Sequence, residues 1–222
     1  MPLPLCFFFD LDGTLLDSLR SIESSLHAAF AACGMEMRHA NLRAEIGPPI
    51  RTILQALATN ANESQLQDLE HAFRLDYDSQ GWKKTTCYPG ARVVLETLHE
   101  RGHRLFVVSN KPRQVTLKIL ESEGVLAWFE QVCTRDGRTP PFSGKQEMML
   151  HVMEEHGLQS ADCVMVGDTL EDAEAATAHS IPFVFMTHGY GIVPADNSIP
   201  VATRLDSFEA FLPFAAQAES DR

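Results

Sequence analysis

Two carboxylates one residue apart, Asp10 and Asp12, close the apolar run Leu5–Phe9 and are followed at once by Gly13 and Thr14. Anions that close repel each other, so something must offset them. Two more apolar runs end the same way: Leu105–Val108 leads into Ser109-Asn110-Lys111, and Cys163–Val166 into Gly167-Asp168-Thr169-Leu170-Glu171-Asp172. If these runs are parallel strands, their ends share the sheet edge at which such sheets bind ligands. Asp10, Asp12, Asp168 and Asp172 then gather there with Ser109 and a lysine. Four carboxylates on one edge call for a cation, and a set of hard oxygen donors suits Mg²⁺. A metal so placed attracts phosphate, neutralises its oxygens and lets a carboxylate attack phosphorus.

The elements that must position these residues follow from hydrophobic patterning. The runs named above, with Phe183–Met186, are apolar without clean alternation, as in strands covered on both faces. Between them lie helical patterns: Gly90–Glu100, Pro112–Glu123 with proline near its start and Gly124 after it, Lys145–His156 closed by Gly157, and Leu170–His179. Alternation of strand and helix predicts an α/β fold, a doubly wound parallel sheet. From about Leu16 to Lys84 the pattern is helical throughout, over Ser18–Ala32, Pro49–Thr59 and Ser64–Ser79, with no convincing strand. A stretch of that length far exceeds the roughly ten residues a crossover needs. It reads as an inserted α-helical cap, residues 16–84, on a core of residues 1–15 and 85–222, with Phe208–Phe214 in a last short helix.

Composition narrows the function classes. At 222 residues, 45% hydrophobic, the chain can bury a full core. Its net charge of −12 disfavours nucleic acid and anionic membrane surfaces as partners. Five scattered cysteines without C-x-x-C spacing read as reduced thiols, which points to the cytoplasm and away from zinc or a disulfide framework. No segment approaches the ~20 apolar residues of a membrane span. Monomer and homodimer are both open.

Taken singly, the signals have plainer readings. Asp168 and Asp172 suit a helix N-terminus, Glu171 and Glu174 fit that reading and receive no role, and Ser109 suits a turn. Arg51, after I-G-P-P-I, is a candidate substrate contact or a solvated arginine. His188, Trp82, Met148, Met149 and Met153 read as packing residues. Two lysines compete for the phosphate: Lys111, beside Asn110, and Lys145, which opens a helix after a loop and is favoured.

In order, D-L-D-G-T, S-N-K, a lysine and G-D-T-L-E-D resemble the four motifs of the haloacid-dehalogenase-like hydrolase superfamily, over the whole expected core. I-G-P-P-I at 46–50 and H-G-Y-G at 188–191 resemble its phosphoglycolate phosphatase-like subgroup. The resemblance implies a Rossmann-like core and a phosphatase of small phosphorylated metabolites. Asp10 would be the nucleophile that becomes an aspartyl-phosphate, and Asp12 the acid and then base. Asp10, the Asp12 carbonyl and Asp168 would hold Mg²⁺, with Asp172 as ligand or support. Ser109, Asn110 and the Gly13-Thr14 turn would meet the phosphate, and Lys145 would neutralise it and orient Asp10. Lys145 is followed by Gln146, where many relatives have Lys-Pro, and Thr134–Gly144 departs from the phosphoglycolate phosphatase pattern.

The same motifs serve a sugar-phosphate mutase, and pyrophosphatase or nucleotidase activity stays open. Haloacid dehalogenation needs neither Asp12 nor a metal. Phosphonate cleavage asks for a cap lysine, and residues 16–82 contain none. A phospho-receiver or silent binding module is the non-enzymatic alternative, against which stand the length and the shared strand of Asp10 and Asp12.

Overall fold

The computed structural model describes residues 4–38, 41–193 and 200–220; the outer ends of the expected core, 1–3 and 221–222, lie outside the described residues. Strand β1 (Cys6–Phe9) occupies the middle of a six-stranded sheet. It pairs in parallel with β4 (Arg104–Ser109) on one side and β6 (Cys163–Gly167) on the other. β5 (Gln131–Thr134) lies outside β4; β7 (Phe183–Met186) and β8 (Thr203–Leu205) lie outside β6. The order β5-β4-β1-β6-β7-β8, all parallel, is the expected doubly wound α/β sheet. The chain builds outward from β1 in one direction and then in the other. The reversal beside β1 opens a crevice at the strands' carboxyl ends.

Strand faces explain the layers. Phe7 and Phe9 point to one side with Leu105, Val107, Val164 and Val166. Cys6 and Phe8 point to the other with Phe106, Val108 and Met165. On the first side the sheet is covered by α5 (Ala91–Glu100), α6 (Arg113–Ser122) and α9 (Phe211–Ser220). α7 (Lys145–His156) and α8 (Leu170–Ala178) cover the second, with Met148, Met149 and Met153 buried as the sequence implies. The last helix begins at Phe211, later than Phe208–Phe214 predicts, with Phe208 buried just ahead of it.

Residues 19–77 carry α1 (Leu19–Ala32), the single turn α2 (Leu42–Glu45), α3 (Ile50–Leu57) and α4 (Glu63–Tyr77). The last begins at a capping box in which Asn62 and Gln65 satisfy each other's backbone N–H groups. α1 packs along α4, and their apolar residues join the cluster on the first face of the sheet. The absence of a strand between Leu16 and Lys84 needs correcting. Leu16–Asp17 (β2) pairs antiparallel with Thr86–Cys87 (β3), so the chain's exit to these helices and its return run side by side. Two residues are too few for a hydrophobic period, which is why patterning misses them; β8, at three residues, escapes it likewise, and β5 has only two apolar residues between polar ends. No helix among the described residues is long and apolar enough to cross a membrane.

Phe8 is fully buried and its ring lies 5.4 Å from that of Phe106. Phe8→Ala is expected to lower unfolding free energy by about 3–5 kcal/mol, read as a shift in urea midpoint at unchanged slope.

Candidate active site

The turn after β1 sets the site. The Asp10 N–H donates to Val166 O at 3.0 Å, continuing the sheet, and the chain then folds back with Leu16 N–H donating to Leu11 O and Gly13 N–H to Leu16 O. Gly13 has φ +90°, and a Cβ there would lie 2.3 Å from Asp168 Oδ2. Its use in this fold is to let the turn lie against Asp168. Since its N–H serves the turn, it is not free for a phosphate oxygen. Thr14 is also directed inward, its hydroxyl donating to Asp168 Oδ1 at 2.8 Å.

Asp10, Asp168 and Asp172 are all buried and present carboxylate oxygens within 4.8 Å of one another. Lys145, at the start of α7, places its ammonium 2.7 Å from Asp10 Oδ1 and 2.7 Å from Asp172 Oδ1. Burial works against its charge, but the fields of Asp10, Asp172 and Glu171 outweigh it and hold the lysine above its usual range. Asp10 is pushed well up by burial, and Asp172 and Asp168 add to this against the pull of Lys145. Asp168 is raised too, by burial and then by Asp172, although Thr14 and the N–H groups of Tyr190 and Gly191 favour its charge.

Lys111 takes the other carboxylate. Its ammonium donates to both Asp12 oxygens, at 2.9 and 3.1 Å, and to the Tyr77 hydroxyl at 2.7 Å. The two candidate lysines take different carboxylates: Lys145 sits on Asp10, Lys111 on Asp12. Four carboxylates face two ammonium groups, and the excess of two negative charges is what one divalent cation would neutralise. The donors are all carboxylate oxygen, with no histidine or cysteine in the cluster, so the residues fit Mg²⁺.

Asp10, Asp12, Ser109, Asn110 and Lys111 line a cleft whose opposite wall comes from the helices, including Ile50, Phe73, Arg74 and Tyr77. Its volume is about 50 Å³. Ser109 Oγ accepts the Lys111 N–H, and Asn110 Nδ2 donates to Gly47 O and to Glu171 Oε2. Glu171, which the sequence reading left without a role, holds Asn110 in place. Arg51 does not line the cleft; it pairs with Glu63 and Glu70. Arg74, which the sequence does not single out, lines it instead, over the Phe73 ring.

The loop after β7 completes the floor. Tyr190 N–H and Gly191 N–H donate to Asp168 Oδ2 at 2.7 and 3.1 Å. The Tyr190 hydroxyl accepts from the backbone N–H groups of Ser18 and Leu19, at 2.7 and 2.9 Å, and donates to Asp17. It thereby supplies the α1 cap that the Ser18 side chain does not. His188 ties the same loop to Thr14 O and is structural, as its sequence context implies.

Residues 7–186 match the family profile described as haloacid dehalogenase-like hydrolase. The tyrosine-protein kinase PtkA of Mycobacterium tuberculosis is 33% identical over 193 residues, 85% of this chain; the chain spans 64% of that relative's length. A phosphoglycolate phosphatase of Vibrio cholerae is 32% identical over 82% of this chain and 84% of its own. Among solved structures, a haloacid dehalogenase-like family hydrolase from Streptococcus pneumoniae superposes with a TM-score of 0.85 at 21% identity, covering 96% of this chain and 98% of its own.

Tyr190→Phe removes the acceptor of the buried Ser18 N–H. A stability loss of about 1–3 kcal/mol is expected, measured by chemical denaturation; an unchanged midpoint would mean that water replaces the hydroxyl.

Proposed function

The chain belongs to the haloacid dehalogenase-like hydrolases, and on that premise we propose that it is a Mg²⁺-dependent phosphatase of a small phosphorylated metabolite. The observation that carries this reading is the pairing of each carboxylate at the mouth of the cleft with its own lysine, Asp10 with Lys145 and Asp12 with Lys111. One carboxylate is buried and fixed, as a nucleophile requires. Its neighbour is more open, as a proton carrier requires.

Asp10 attacks phosphorus, the bond to the leaving oxygen breaks, and Asp12 delivers a proton to that oxygen. Water then attacks the aspartyl-phosphate, Asp12 takes its proton, and the bond to Asp10 breaks to release phosphate. Ser109 lies within the cleft to bind a phosphate oxygen. Asn110 supports it there, and Lys145 keeps Asp10 aligned while offsetting phosphate charge. Bound Mg²⁺, held by Asp10, the Asp12 carbonyl and Asp168 with Asp172 in support, would supply neutralisation of the phosphoryl oxygens.

Residues 16–84 act as the cap, with their connections running together through β2 and β3. The cleft lies between α3 and α4 and the carboxyl edge of the sheet. Substrate enters when the cap moves away, and closure excludes bulk water. A cleft roofed in this way favours a small ester. Transfer to a protein tyrosine, the activity named for the mycobacterial relative, is the competing reading.

The test is phosphate release from small esters, nucleotides and pyrophosphate with and without Mg²⁺, beside an ATP and tyrosine-peptide assay. Release that needs Mg²⁺ and falls at least ~10³-fold in Asp10→Asn is expected. Transfer to the peptide without release would sink the hydrolytic reading. In calorimetry, Asp168→Ala should lose Mg²⁺ binding while Asp12→Asn retains it, because the Asp12 side chain is assigned to protons.

A further inference from the structure

The geometry points to Tyr77 as a positioning residue for the proton carrier Asp12, acting from the cap through Lys111. This rests on the phosphatase reading and goes beyond it, since that reading needs only Asp12 itself.

A lysine ammonium has three donors and no acceptor. All three donors of Lys111 have an acceptor here: Asp12 Oδ1, Asp12 Oδ2 and the Tyr77 hydroxyl. None is left over for a phosphate, so in this arrangement Lys111 serves Asp12. The exposures separate the two ends of the pair, at 4% for the Lys111 side chain and 16% for that of Asp12. The ammonium is sealed in, while the carboxylate still faces the cleft.

Tyr77 is what seals it. Its ring is buried and stacks on Phe73, centroids 5.2 Å apart and planes 11° from parallel, one turn earlier on α4. A buried phenol must find a partner for its hydroxyl, and this one reaches out of the cap into the core to find Lys111. Without that third acceptor, the ammonium loses the contact that fixes its orientation, and the carboxylate loses its direction. The position of Asp12 toward a leaving oxygen is then set only while α4 is seated on the core.

Asp12 acts in both half-reactions, but only in the first does its effect depend on the leaving group. An alkyl oxygen leaves poorly unless it is protonated as the bond to phosphorus breaks, whereas p-nitrophenolate leaves without a proton. In kcat/KM, which reports formation of the aspartyl-phosphate and not its hydrolysis, a misaligned Asp12 therefore penalises the first ester and spares the second. A purely structural defect, or a lost substrate contact, lowers both.

The experiment compares kcat and KM for p-nitrophenyl phosphate and 2-glycerophosphate, with saturating Mg²⁺, in wild type, Tyr77→Phe, Lys111→Met and the double variant. Tyr77→Phe keeps the ring stack and should fold. Its kcat/KM on 2-glycerophosphate should fall on the order of tenfold, with kcat/KM on p-nitrophenyl phosphate within about twofold; a fall in kcat common to both esters reports the second half-reaction. The double variant should be no worse than Lys111→Met alone, because both act along one path. Equal losses of kcat/KM on the two esters, no loss on either, or additive losses in the double variant would overturn the proposal alone. A wild-type protein that cleaves neither ester would overturn it together with the phosphatase reading.

Discussion

Everything at the carboxyl edge of the sheet is arranged around the Lys145 ammonium. It lies between two buried carboxylates, Asp10 and Asp172, with Asp168 beside them. Charges cannot be stripped of water unless they are paired and their remaining hydrogen-bonding capacity is met. That condition dictates much of the local structure. Asp172 spends its second oxygen on the capping box of α8, and Asp168 spends both on Thr14 and on the N–H groups of Tyr190 and Gly191. Gly13 is required because any side chain there would meet Asp168. Even the start of α7 is fixed, since its first residue must be the lysine.

The helices between β2 and β3 stand in a different relation to this centre. They provide apolar wall, and through Tyr77 a polar contact to Lys111, but none of the buried acidic cluster. The carboxyl edge of the sheet thus holds the buried charges. The helices contribute shape, and a hydroxyl that reaches Asp12 through Lys111.

Legibility in the sequence followed the length of the signal. Four strands and the helices after them were readable because each buried run or amphipathic face spans several residues. Asp10, Asp12, Asp168 and Lys145 were readable because each sits at the end of such a run. β2, β3 and β8 were not, being two or three residues long, and β5 offers only two apolar residues between polar ends. Arg51 looked plausible from its neighbours, yet helix phase turns it toward Glu63 and Glu70, while Arg74 faces the cleft. Glu171 and Tyr190 act through contacts 61 and 172 residues away in sequence, to Asn110 and to the Ser18 N–H. No spacing rule reaches that far. The two lysines could not be told apart because both belong to the site, each on its own carboxylate.

The Tyr190 hydroxyl has a bearing on how the protein is made. It caps the first helix, while its own backbone and that of Gly191 hold Asp168. β1 keeps one side unpaired until β6 has been synthesised. Domains fold largely as units during translation, and here the unit cannot close until Tyr190 has left the exit tunnel. A nascent polypeptide that stalls before Tyr190 carries the whole D-L-D-G-T turn and both lysines but lacks the contacts that organise them. The site thus takes shape only once the loop after β7 has been made, and a product cut short before it lacks these contacts even though its first motif is intact.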